Sequence, residues 1–66
     1  MLLTVKDVSK RLRVNVNYVY RLINSGLLPS IKIGAVKIRE ESLNEFLATY
    51  EGLDVNEILE KTEKRA

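Results

Sequence analysis

The stretch VNVNYVYRLINSGLLP, residues 14–29, decides the fold. Val19, Leu22 and Ile23 sit at the i, i+3, i+4 spacing of a buried helical face, while Asn17, Tyr20, Arg21 and Asn24 form a second stripe. At about 100° per residue the second stripe lies roughly opposite the first. Two amides, a phenol and a guanidinium therefore point outward. Asn15 is a good N-cap for this helix, which should run from Val16 to about Ser25. Gly26 suits the left-handed residue that closes a helix, and Pro29 prevents the helix from resuming.

Upstream, LTVKDV carries its own helix start. Thr4 can cap, Asp7 at N3 completes a capping box, and Leu3 can pack against Val8 as a hydrophobic staple. That helix should end near Leu12, with Val5, Val8 and Leu12 inward and Lys6, Lys10 and Arg11 outward. Arg13 and Val14 leave only a tight connection to the second helix, which makes the pair a helix-turn-helix. Downstream, SIKIGAVKIRE holds two short strands around Gly34-Ala35, read as a two-residue hairpin turn with lysines on one side and isoleucines on the other.

A third helix is expected from near Glu40 to before Gly52, burying Leu43, Phe46 and Leu47. Asp54 and Glu57 repeat the capping pattern ahead of a short fourth helix, roughly Val55 to Lys64. Its Val55, Ile58 and Leu59 either pack on the domain's own core or form a seam for self-association. The expected fold is mainly α with a small β-hairpin wing, a winged helix-turn-helix over residues 1–50 followed by a C-terminal helical extension over 51–66.

Composition narrows the function. A chain of 66 residues is one domain with too little mass to enclose a deep catalytic cleft. It has no Cys and no His, so disulfides, thiolate chemistry, zinc sites and imidazole catalysis are not expected. No glycine-rich phosphate loop is present, and the expectation is a non-enzyme without cofactor or metal. No apolar run reaches the roughly 20 residues of a membrane span and no signal-peptide pattern opens the chain, so a cytoplasmic address is expected. Charge is divided unevenly. Residues 1–39 hold eight Lys or Arg against Asp7 alone, whereas residues 40–66 hold eight acids and three bases. The basic half attracts polyanions, and the acidic half discourages the protein from lying on them in arbitrary orientations.

A second helix of a helix-turn-helix presents its N-terminal residues to base edges in the major groove. Arg21 suits guanine and Asn17 and Asn24 suit adenine, while Tyr18 and Tyr20 can contact phosphate, sugar or a thymine methyl. Lys32, Lys37 and Arg39 on the wing are candidate phosphate anchors. Thr4 and Lys6, at the amide end of helix 1, are weaker ones. Each feature has a plainer reading. An exposed polar helix face needs no partner, Tyr20 can cover the edge of the core, and charged residues protect edge strands from pairing with other chains.

From Leu3 to Leu47 the chain resembles the excisionase-type DNA-binding domains, small winged helix-turn-helix modules related to the DNA-binding head of MerR regulators. The resemblance rests on LTVKDVSKRL, VNVNYVYRLINSGLLP and IKIGAVKIREESLNEFL. It implies a recognition helix capped at Asn15, a Gly-x-Leu-Pro lead into the wing at Gly26 to Pro29, a wing glycine at Gly34, and a closing Leu-x-x-Phe-Leu at Leu43 to Leu47. Two departures stand out. Arg13 occupies the turn where such domains often have Gly, so a left-handed backbone there would cost about 1–2 kcal/mol. The wing tip, often Arg-rich, is Ala35 and Val36, which moves the expected phosphate contacts to the wing's stem. The resemblance implies sequence-specific binding to double-stranded DNA, as a prokaryotic recombination directionality factor of a phage or integrative element. With it come an integrase as partner and cooperative self-association on DNA. A small transcriptional regulator of the same fold is the alternative, and a protein-interaction module docking on an acidic partner is the alternative from another class.

Overall fold

The computed structural model describes residues 1–64, in the order β1 (Leu2–Thr4), α1 (Val5–Leu12), α2 (Val16–Ser25), β2 (Ile31–Ile33), β3 (Ala35–Arg39), α3 (Glu40–Thr49) and α4 (Val55–Lys64). The last two residues of the expected extension, 65–66, lie outside the described residues. The architecture is four helices and a small three-stranded antiparallel sheet, a winged helix-turn-helix.

Both helices of the helix-turn-helix begin where local chemistry starts them. The Thr4 hydroxyl accepts from the Asp7 N–H at 3.0 Å while the Thr4 N–H donates to the Asp7 carboxylate at 3.0 Å, so the capping box is complete. Asn15 Oδ1 accepts from the Tyr18 N–H at 2.8 Å and starts α2. Between them Arg13 is left-handed, at φ 57° and ψ 41°. This lets the Val14 N–H reach back to the Ser9 carbonyl at 3.1 Å, and the strain foreseen for a non-glycine residue is present. Gly26, at φ 88°, closes α2 and its N–H donates to the Ile23 and Leu22 carbonyls.

The sheet departs from the sequence reading in two ways. Leu2–Thr4 forms a strand as well as a cap, pairing with β3 in the strand order β1-β3-β2. Gly34 alone forms the hairpin apex, at φ 68°, because Ile33 pairs with Ala35. Losing one turn residue slips the register by one, and a one-residue slip exchanges the faces. Lys32 therefore opposes Val36 and shares the core-side face with Ile38, whereas Ile31 opposes Lys37 and shares the outer face with Ile33 and Arg39. The expected separation of lysines from isoleucines does not occur.

One core joins all layers. Leu3 from β1, Val5 and Val8 from α1, Val19 and Leu22 from α2, Leu28, Ile38 from β3, Leu43 and Phe46 from α3, and Leu59 from α4 are buried. Among the described residues no polar or charged side chain is buried with them. Leu12 and Ile23 cover the cluster's edge. Leu47, expected inside, is 48% exposed. It lies about 100° around α3 from Phe46, past the point where the core ends. There it lines an apolar recess with Leu12, Val14, Phe46 and Val55. No helix among the described residues is long and apolar enough to cross a membrane.

Candidate nucleic-acid interface

Helix α2 has three distinct sides. Val19 and Leu22 face the core. Asn17, Tyr20 and Asn24 are exposed and make no side-chain hydrogen bond or ion pair within the described residues. The third side is covered by α4, which runs along α2 in the same sense, Asn56 beside Tyr18 and Glu63 beside Arg21. Leu59 at the middle of α4 is fully buried, so the core fixes the position of this helix. No acid lies in the first turn of α2, and its positive dipole end is not cancelled by its own sequence.

The covered side holds two of the five residues expected to read bases. The Tyr18 hydroxyl donates to Asn56 Oδ1, and the ring is half-buried. Arg21 is bound at both ends of its fork: Nε donates to Glu63 Oε2 at 2.9 Å and Nη2 to Glu63 Oε1 at 2.7 Å. Its guanidinium carbon lies 5.6 Å from the centroid of the Tyr18 ring. Paired donors meeting paired acceptors in one plane also describe an arginine on the edge of guanine. Glu63 holds the Arg21 guanidinium above its ordinary pKa, and Arg21 holds the Glu63 carboxyl below the usual carboxylate range, in each case chiefly through the hydrogen bond. The pair is at the surface, with side chains 44% and 38% exposed.

The expected wing anchors are divided by the register. Lys37 and Arg39 project from the outer face of the sheet beside Ile31 and Ile33, and Lys32 from the opposite face. Lys37 lies between Thr4 on β1 and Ile31 on β2, which leaves it half-buried, whereas Lys32 and Arg39 are exposed. At the start of α1, Lys6 is exposed. Thr4 is engaged in its capping box, where the Thr4 N–H and hydroxyl hold the Asp7 carboxyl below its ordinary pKa. That carboxylate occupies the amide end of α1, the place a phosphate would take.

Asn56 and Glu63 were not read from the sequence as part of this site. Together with Glu60, which also acts on Arg21 electrostatically, they lie at i, i+4, i+7 along one flank of α4. The acidity of the second half was the visible signal, but its location required the packing of one helix on another. Among the described residues no cluster of side chains could hold a metal ion.

A protein-family model described as a helix-turn-helix domain matches residues 2–50, from β1 to the residue that ends α3. Helix α4 lies beyond the match although Leu59 belongs to the same core. No curated protein and no solved structure matches the chain.

Proposed function

The chain belongs to the helix-turn-helix domain family of DNA-binding modules, and from that premise we propose that it binds duplex DNA sequence-specifically, with α2 in the major groove. The observation that carries this reading is the unpartnered stripe of Asn17, Tyr20 and Asn24, projecting from a helix whose opposite side is fixed in the core. Arg21 and Tyr18 border the stripe and complete the reading set. Lys37 and Arg39 hold phosphates from the outer face of the wing, with Lys32 on its other face and Lys6 at the start of α1 as lesser anchors.

In the finer part of the proposal the protein acts as an excisionase of a phage or integrative element. It occupies neighbouring sites cooperatively and works with an integrase in the prokaryotic cytoplasm. The excisionase-like motifs from Leu3 to Leu47 support that assignment. Residues 1–50 form the binding module and the helix that follows is its extension.

Selection of bound sequences from a random duplex pool, followed by a salt titration on the selected site, tests the reading. A defined base preference is expected, with log affinity falling steeply as log salt rises because several phosphates are neutralised. Arg21→Ala should relax the preference, whereas Lys37→Ala should weaken binding to all sequences alike. A pool that emerges unselected overturns sequence-specific recognition. Stimulation of excision by a phage-type integrase in a reconstituted reaction separates the excisionase role from that of a regulator.

A further inference from the structure

We propose that Glu63 on α4 is a specificity-determining residue: its carboxylate takes the place of a DNA acceptor on the Arg21 fork, so the arginine is released to DNA only when a base offers an equivalent pair of acceptors. This rests on α2 being the reading helix. Geometry supports it first. Glu63 engages both Nε and Nη2 of Arg21, the same two-donor face that would address guanine O6 and N7. A backbone phosphate can also meet both donors, but it carries a negative charge that the Glu63 and Glu60 carboxylates oppose, whereas the edge of a guanine is neutral, so exchange beside these acids favours base edges over backbone.

The magnitude of the pair's other contribution is the second support. Arg21 and Glu63 are both at the surface, and exposed ion pairs add little to folding. The helix that carries Glu63 is already positioned by fully buried Leu59 and by the hydrogen bond from Tyr18 to Asn56. Neither needs the ion pair. Placement is the third. Asn56, Glu60 and Glu63 share the flank of α4 that adjoins the reading stripe, so Glu60 and Glu63 repel a sugar-phosphate backbone sliding in from that side. Glu57 points outward, about 160° around α4 from Leu59, and its carboxylate is paired with Lys61 at 3.1 Å rather than turned to Arg21.

The full chain is compared with Glu63→Gln, Glu63→Asp and Glu57→Gln by fluorescence anisotropy on a labelled duplex of random sequence and on the sequence selected by the wild type. Glu63→Gln should tighten binding to random duplex by roughly 3- to 10-fold and steepen the log-log salt slope by about 1, as one more cation becomes available to phosphate. Binding to the selected sequence should change less, so discrimination falls. Glu63→Asp, which keeps the charge, should stay nearer the wild type than Glu63→Gln. Glu57→Gln removes the same charge and should shift random-duplex affinity by less than about 2-fold, because that carboxylate is exposed, screened and already paired with Lys61. In an Arg21→Ala background the effect of Glu63→Gln should largely vanish. A wild type and a Glu63→Gln variant that bind both duplexes equally, with equal slopes, overturn the inference while leaving DNA binding intact. Equal tightening by Glu57→Gln overturns it too, since net charge would then suffice. If neither protein binds any duplex, the DNA-binding reading fails, and this inference with it.

Discussion

The helix-turn-helix unit and the wing are held by different means. In α1 and α2, Val8, Val19 and Leu22 are completely enclosed, both N-caps are satisfied, and the geometry is set by burial. In β2 every residue is exposed, Ile33 to 58%, so that strand rests on its pairing with β3 and on Gly34 at the apex. Rigidity is therefore concentrated where base edges would be read, and the element assigned to the backbone is the more easily adjusted one. A surface that must discriminate between bases needs fixed side chains, whereas a phosphate anchor needs reach.

Truncating the core is the strongest way to break this contrast. Leu22→Ala and Leu59→Ala should each cost about 2–5 kcal/mol in urea unfolding, enough to unfold much of a domain this small. An effect of Leu59→Ala near zero would mean that α4 rests on the domain without stabilising it. Asn15→Ala should cost about 1 kcal/mol, because it strips the cap from the Tyr18 N–H. Arg13→Gly should stabilise by up to about 1 kcal/mol, since relief of left-handed strain exceeds the added freedom of the unfolded chain. Ile33→Ala should stay within about 0.5 kcal/mol, and a larger loss would show the wing to be part of the folded core.

Acid should sharpen the comparison at its weakest end. Asp7, Glu41 and Glu63 all have carboxyl pKa values held below their ordinary ones. The first two owe this chiefly to backbone hydrogen bonds, of Thr4 and of Glu41 itself, and the third to Arg21. Their stabilisation is complete above the ordinary carboxylate range and is lost as pH falls through the lowered values. Thermal melts should therefore be flat from neutral pH to about 5 and decline below about 4. Hydrogen exchange across the same range should show β2 opening before α2.

Much of the fold was legible because it is written in local chemistry. The Thr4–Asp7 box, the Asn15 cap and the Gly26 stop each act within a few residues, and the ends of α1, α2 and α4 agree with the sequence reading. What escaped depends on pairing between distant segments. Leu2–Thr4 is too short to show an alternating pattern, and its strand exists only because β3 lies beside it. Whether Gly34 turns alone or with Ala35 changes no residue in the pattern, yet it decides which face Lys32 takes. Leu47 has the spacing of a core residue, but the core ends before reaching it. At the candidate site, the open stripe of Asn17, Tyr20 and Asn24 follows from helical period alone. The acidic helix against Tyr18 and Arg21 does not, because period says nothing about which neighbour lies alongside.

No loop separates Arg39, the last residue of β3, from Glu40, the first of α3, and the Glu40 N–H donates to the Met1 carbonyl at 3.0 Å. Strand and helix thus form a single lever pinned near its middle. A displacement of β3 therefore reaches the first turn of α3 and the start of the chain at Met1 with no intervening loop to take it up.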